Sequence, residues 1–474
     1  MPERWDEEAD VVVIGSGFAG LAAAIEAGST GSSVIILEKM RRPGGNSIIS
    51  DGMIAVAGSP LQANKGIQDS PELMYQDMLK AGLGLNHRDL ARIVAENSLD
   101  LFLWTVDFLG IRYAETLDRL GGHSVPRTLT AFTERDLHPG SVMVRKMLAK
   151  LTELGMAVRT RSFLVRLLMD RAGRVEGVRI RYGHVFPNPE SGTTRHIRAR
   201  KAVVLTTGGF GSDVSFRAVQ DPRLNGSIES TNRHSATAEA LIEALRIGAT
   251  PVQLSWIQLG PWSCPDEKGS GVGAIFATSS TFPYGLIVDP ATGRRVVNEL
   301  ADRRTLSEAI MGTGRTCIGI TDAAGAGYGQ HVLDKCLKRG VVRSFPTLEG
   351  FASWYGIPSE DLRETVERYN RYVETRKDEE FGKPIIGDSR PLVDPPYYGI
   401  RLWPKVHYTM GGIQINTRAQ AIGLDQRPIE GLYAAGEVTG GIHGACRLGS
   451  CAIPECLIFG RIAGSNAASE EPLG

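Results

Sequence analysis

The chain has 474 residues, 42% of them apolar, which is enough to bury the cores of two or three lobes and too long for a single typical domain. Its 53 basic and 53 acidic side chains cancel, which argues against a protein whose affinity comes mainly from neutralising nucleic-acid phosphates or anionic lipid. The 56 glycines follow no repeating period and so point to tight turns and close backbone approaches to a ligand.

The opening MPERWDEEAD is acidic and has neither the basic start nor the apolar run of a signal peptide. No later segment is apolar and long enough to span a bilayer, so a cytoplasmic location is expected unless a leader has been trimmed. Asp10 to Ile14 is a continuous β-branched run that reads as a buried parallel strand, and Gly17 to Ala27 reads as a helix. Gly15, Gly17 and Gly20 therefore sit in a strand-to-helix turn. The first permits the turn, the second lets backbone approach a pyrophosphate, and the third allows close helix-to-strand packing, with the phosphates at the positive helix end. A second strand, SVIILEK, ends in Glu38, where an acidic side chain would accept hydrogen bonds from an adenosine ribose. The motif in this context predicts a dinucleotide site.

A second glycine-rich loop follows at once, with Gly44, Gly45, Asn46 and Ser47 in RRPGGNSIISDGMIAVAG, a kind that nicotinamide domains do not need. Further on come AVVLTTGGFG from Ala202, GRRVVNE from Gly293, HYTMGGIQIN from His407 and GLYAAGEVTGGIHGACRLGSCAIPECLIFGR from Gly431. Six cysteines in a chain of this length make no disulfide framework, and the spacing of Cys446, Cys451 and Cys456 is not that of a CxxC metal or haem site. Reduced, packed thiols and no metal are expected.

Taken in order, these segments resemble the flavoprotein family of soluble fumarate reductases, urocanate reductases and 3-ketosteroid dehydrogenases, over nearly the whole chain. The resemblance implies an α/β fold, a Rossmann-like FAD-binding domain interrupted by an inserted α+β capping (clamp) domain that moves over the flavin. The expected boundaries are 1–261 and 407–474 for the FAD-binding domain and 262–406 for the cap, with errors of a few residues. It also implies FAD contacts at Gly436 and Glu437 by the ribityl chain, and at Leu448 to Ile453, where a helix start would face the flavin pyrimidine and its developing negative charge. Ala19, Lys39, Gly52, Thr207, Gly208, Ser450, Ala452 and Ile453 complete the expected cofactor set. No histidine lies in SIISDGMIAVAG, where the membrane-bound branch of the family attaches FAD, so the cofactor is expected to be non-covalent.

Within the expected cap, SSTFPYGLIVD reads as a strand, and PSEDLRETVERYNRYVETRKDEEFG as an amphipathic helix whose charges form a solvated face. Glu299 and Arg303 stand at i and i+4, so a surface ion pair is the reading from spacing alone. The resemblance reverses it: the arginine four places after the glutamate of the FVNE-like segment delivers a proton to substrate carbon, and here that residue is Arg303. His407 and Arg447 match residues that hold a substrate carboxylate and polarise the alkene, with Tyr408 as an additional donor. The bland alternatives are a hinge histidine bonded to backbone for His407, and pairing with flavin phosphate or Glu437 for Arg447.

The chain also departs from the fumarate reductases. Their hinge histidine is replaced by Gly260 in IQLGPW, and FATSSTFPYGLIVD lacks the glutamate and arginine that complete the second carboxylate clamp and proton relay. Asp266, Glu267 or water would have to replace that relay. A mono-carboxylate with a bulkier or aromatic far end is expected, with Trp262, Phe282 and Tyr284 as walls. There is no CxxCH haem site and no second nucleotide fingerprint, so electrons are expected from a separate protein or reduced cofactor. The leading expectation is an FAD-dependent reductase of an activated C=C bond in a small enoate. Its rivals are a ketone or ketosteroid dehydrogenase, a tRNA-modifying flavoprotein, which the neutral charge disfavours, and a flavin electron carrier without a substrate.

Overall fold

The computed structural model describes residues 2–134, 138–385 and 389–473. Two compact units emerge, one from Met1–Asn225, Arg233–Ile257 and Tyr408–Gly474, the other from Gly226–Asn232 and Gln258–His407. In chain order the first unit begins with β1 (Glu7–Ile14), α1 (Phe18–Ser29), β2 (Val34–Leu37), β3 (Val158–Arg159) and β4 (Thr193–Leu205). The second unit holds β5 (Leu286–Val288), α2 (Arg303–Gly312), β6 (Cys317–Thr321), β7 (Val342–Phe345), α3 (Ser359–Thr375) and β8 (Tyr397–Leu402). The returning chain adds β9 (Gln420–Ile422), β10 (Pro428–Ala434) and α4 (Ala452–Ser469) to the first unit.

The main sheet of the first unit runs β9-β10-β4-β1-β2-β3. β1 lies parallel to β2 and β4, β10 parallel to β4, and β3 parallel to β2, while β9 closes the edge antiparallel. Val11, Val12 and Val13 are fully buried, as a β-branched strand covered on both faces must be. Gly15 ends β1 at φ +106°, and a Cβ there would lie 2.3 Å from the carbonyl oxygen of Thr206 at the end of β4. Any side chain would strain the backbone and push the two strand ends apart. Gly20, one turn into α1, approaches so closely that its Cβ would stand 2.0 Å from the Gly15 carbonyl oxygen.

The second unit is α+β: four antiparallel strands in the order β5-β6-β8-β7, with helices packed on them. On α3 the buried side chains Leu362, Val366, Tyr369 and Val373 recur at helical spacing, as the amphipathic pattern predicts. Two expectations for this unit need correction. SSTFPYGLIVD is mostly not a strand, because Ala277–Thr281 is a π-type helical turn, Phe282–Tyr284 a helical turn, and only Leu286–Val288 is extended. Thr278 and Ser279 donate their hydroxyls back to the carbonyls of Ala274 and Ile275, at 3.0 and 2.7 Å, bonds of the kind that bend a helix, in keeping with the π-type turn at Ala277–Thr281.

The charges around α3 are also not all solvated. Asp378 is buried and pairs with Arg295 at 2.9 Å, and Arg295 in turn pairs with Glu299 at 2.8 Å. Lys383 lies 3.4 Å from Glu299 and donates to the carbonyl of Gly285 at 2.6 Å. Glu299 is thus consumed inside the unit, and the Glu299–Arg303 surface pair suggested by spacing gives way to the Glu299–Arg295 pair.

Candidate functional site

The turn between β1 and α1 opens into a cleft in the first unit. Gly15, Gly17, Ala19, Glu38, Lys39, Gly45, Asn46, Ser47, Thr207, Gly208, Gly436 and Glu437 all line it, so twelve dispersed sequence assignments converge on one wall. Gly20, Gly44, Gly52, Ser450, Ala452 and Ile453 shape the surrounding backbone and do not line this cleft. The Glu38 carboxylate is held by the Ser16 hydroxyl at 2.6 Å and the Met40 amide at 2.8 Å, which fixes it at the end of β2. Ser47 accepts from the Phe18 amide at 2.9 Å and so ties the second glycine loop to the start of α1. Asn46 accepts from the Arg233 amide at 2.9 Å, and Lys39 donates to Thr237 at 2.6 Å. A Cβ on Gly45 or Gly208 would meet nothing within 4 Å, so at both points bare backbone faces open space. Backbone amides, a helix N-terminus and an acidic group at the second strand are the donor and acceptor set that a flavin dinucleotide requires, and the residues fit it.

A second cluster in the same unit surrounds Tyr408. Its ring carries the Arg447 guanidinium at 4.8 Å and meets the His443 ring edge-on at 5.7 Å. Arg447 also donates to the Leu448 carbonyl at 3.2 Å. Glu437 accepts from the amide and hydroxyl of Thr409 at 2.9 and 3.2 Å, and Cys456 donates to Glu455 at 3.4 Å. Burial pushes the Glu437 carboxyl up to about 7 and the Glu455 carboxyl up to about 8, and burial beside Arg447 pushes His443 down to about 3. At neutral pH His443 is therefore uncharged and Glu455 holds its proton. Sequence reasoning missed His443, Glu455 and Cys456. The available signal was a glutamate inside the apolar run AIPECLIFG.

A carboxyl whose folded value is raised binds a proton that the unfolded chain has already released, so its contribution to stability is complete below about 4.5 and lost as pH rises through about 8. The cofactor-free protein is expected to lose melting temperature between pH 5 and 9. Glu455→Gln, which cannot ionise, is expected to flatten that slope in a thermal-shift titration, and an unchanged slope would assign the pH dependence elsewhere.

The third cluster belongs to the second unit. Arg303 is the first residue of α2, whose N-terminus is capped by the Asp302 carboxylate accepting from the amides of Arg304 and Thr305. The Arg303 guanidinium lies over the Trp262 ring at 4.5 Å and donates to Gln258 Oε1 at 3.2 Å. The His407 ring stands edge-on to Trp262, 5.2 Å away at 81°, and its Nδ1 lies 2.8 Å from the Thr231 hydroxyl. Trp262 thus brings together Arg303 and His407, which are over a hundred positions apart in sequence. His407 and Tyr408 are consecutive on one strand, Lys405–Thr409, and the alternation of strand side chains sends them to different clusters.

Other expected participants are engaged elsewhere. Phe282 is buried in the second unit's core, and Tyr284 stacks on Tyr328 at 3.8 Å, so of the three expected walls only Trp262 stands beside Arg303 and His407. Asp266 pairs with Arg401 at 2.6 Å, and Glu267 accepts from the Gly273 amide at 2.7 Å while pairing with Arg339 at 3.3 Å. Both carboxylates are thus engaged in ion pairs within the second unit.

A family model described as an FAD binding domain matches residues 10–453. The acrylate reductase flavoprotein subunit of Shewanella woodyi is 40% identical over 467 residues, covering 97% of this chain and 91% of that protein. The urocanate reductase of Eggerthella lenta is 33% identical over 483 residues, 99% of this chain and 76% of that one. Among solved structures, the open conformation of a flavocytochrome c3 fumarate reductase matches with a TM-score of 0.79 at 32% identity, covering 98% of this chain and 78% of that chain. No helix among the described residues is long and apolar enough to cross a membrane. With its glycine-lined dinucleotide cleft and relatives matched along almost its full length, this chain belongs to the FAD-binding family of flavoprotein oxidoreductases that act on C=C bonds.

Proposed function

We propose that the protein reduces the activated C=C bond of a small α,β-unsaturated mono-carboxylate, with Arg303 as proton donor. The observation that carries this reading is the grouping of Arg303, Trp262 and His407 in one unit, with Gly260 beside them in place of a second anion-binding side chain. Support comes from the relative named for acrylate, a mono-carboxylate, which is 40% identical. FAD held by the cleft at Gly15, Glu38, Ser47 and Gly436 would supply hydride chemistry, for which the carbon β to the carboxylate is the electrophilic acceptor. Negative charge then develops at the α-carbon and spreads into the carboxylate. That carbon is basic enough to take a proton from a guanidinium whose own pKa exceeds about 12. Arg303 gives up one N–H proton to it, and its positive charge stabilises the developing anion before transfer. His407 is assigned a hydrogen bond to the substrate, and Arg447, stacked on Tyr408, is assigned the carboxylate, which its guanidinium binds as a fork. A proton from solvent restores Arg303, which balances one hydride and one proton against one double bond.

The electrons come from a separate donor, a reading supported by the Shewanella woodyi relative, which is a flavoprotein subunit. FAD is held without a covalent bond, so acid precipitation is expected to leave a white pellet and release the flavin as FAD; a yellow pellet would refute this. Substrate class is tested with dithionite-reduced viologen under anaerobic conditions, comparing acrylate, aromatic acrylates, urocanate and fumarate. A mono-carboxylate is expected to be the best substrate, because a second buried carboxylate without partners costs several kcal/mol. Fumarate turnover equal to the best mono-acid would overturn the reading.

A further inference from the structure

Trp262 touches more of the second unit's reactive groups than any sequence motif suggests. Its indole receives the Arg303 guanidinium on one face at 4.5 Å and the edge-on His407 ring at 5.2 Å, while its other contacts are with the unit's apolar core. The space it occupies is made available by Gly260. A Cβ on that glycine would lie 3.3 Å from Cε2 and from Cζ2 of the indole, and 3.2 Å from the Ser263 hydroxyl. Contacts that short are tighter than most real ones, so a side chain at position 260 would require the indole to give by a few tenths of an ångström, and the bare glycine lets Trp262 pack directly against the backbone.

A guanidinium over an indole face is attracted by the ring quadrupole, which holds the Arg303 fork against Trp262. Gln258 Oε1, accepting at 3.2 Å, gives the guanidinium a second anchor.

We propose that Trp262 is the positioning residue of the reaction: it orients Arg303 for proton delivery and, by filling the space beside Gly260, closes the site to a second carboxylate. The substrate class is accordingly the short mono-carboxylate enoates. This rests on the reading that Arg303 is the proton donor, and the experiment separates the two. Trp262→Leu and Trp262→Phe are made in the wild-type holoenzyme and in Arg303→Lys. For each, kcat and KM for acrylate are measured with reduced viologen, propionate affinity is measured from the absorbance change of the oxidised flavin, and flavin content and melting temperature are recorded.

The expected result is a kcat about 5–30-fold lower for Trp262→Leu, the factor by which a cation–π contact stabilises an orientation, with KM and propionate affinity near wild type and much of kcat retained by Trp262→Phe. In the Arg303→Lys background the same leucine substitution is expected to change the residual rate by less than about twofold, since residues acting as a unit are non-additive. An equal loss in both backgrounds, or no loss in either, would overturn the positioning role while leaving Arg303 as donor. If Arg303→Lys alone retains full turnover, the proposed function falls and this inference falls with it. As a check on the second half, Trp262→Ala is expected to raise the ratio of fumarate to acrylate turnover, and an unchanged ratio would overturn the exclusion argument.

Discussion

Arg303→Ala is expected to lower turnover by about 10²–10⁴-fold, the range that a positioned general acid contributes, and by more if its charge also stabilises the developing anion. The loss is expected in kcat, with flavin content and melting temperature close to wild type. The reason lies in where the side chain sits. Arg303 and Arg304 occupy the first turn of α2, the positive end of the helix dipole, where a cation is disfavoured by about 0.3–1 kcal/mol. The fold therefore gains little from Arg303, and its contacts to Trp262 and Gln258 are offset by that dipole. Arg304 provides the control, because it forms an i,i+4 pair with Glu308 at 3.1 Å on the surface, an arrangement worth about 0–1 kcal/mol. Arg304→Ala is expected to change the rate by less than a few-fold. Anaerobic viologen oxidation by the two variants checks both statements, and equal mild losses would remove Arg303 from the chemistry.

Arg127→Met is expected to be the most damaging single substitution for folding, costing about 3–5 kcal/mol. Arg127 is fully buried and holds Asp69 through two bonds of 2.9 Å and Asp77 through one of 2.6 Å. Methionine fills most of the volume but leaves two carboxylates buried without their cation. The damage reaches the segment before α4 as well. Arg127 donates to Nδ1 of His123 at 3.0 Å, so the ring carries its proton on Nε2, which donates to the Gly449 carbonyl at 2.8 Å. Ser450 follows at a φ of 55°, a conformation that a non-glycine residue adopts only when its surroundings hold it. Urea titration of the holoprotein, read by flavin release and by circular dichroism, is expected to show both transitions at lower denaturant. The triple variant Arg127→Met, Asp69→Asn, Asp77→Asn is expected to recover part of the loss, because neutral amides remove the unpaired charge. A triple variant as unstable as the single one would place the cost in packing and not in charge.

The dinucleotide cleft was legible in the sequence because its determinants are local. A strand, a glycine turn and a helix within the first 29 residues set the backbone, and Gly15 is required by a positive φ that the motif alone announces. The long amphipathic helix of the second unit was legible in the same way, through its periodicity, while the inserted unit itself was expected from the family resemblance. The extended reading of SSTFPYGLIVD failed because its first half continues the helical turns that begin at Gly273, a tertiary context that overrides local β propensity.

What only the tertiary structure decided is which charge meets which. Spacing offered Arg303 as the partner of Glu299, yet burial beside Asp378 and Lys383 commits Glu299 to Arg295, and α2 begins only after the intervening residues. Likewise no local pattern places Trp262 between Arg303 and His407, or keeps a proton on Glu455. Sequence alone determined the cofactor-binding architecture and the family, and it named a short set of candidate side chains, since backbone geometry and motif spacing are written within a few turns of chain. Their partners, orientation and protonation depend on desolvation and on contacts between residues far apart in sequence, and those exist only once the chain has packed.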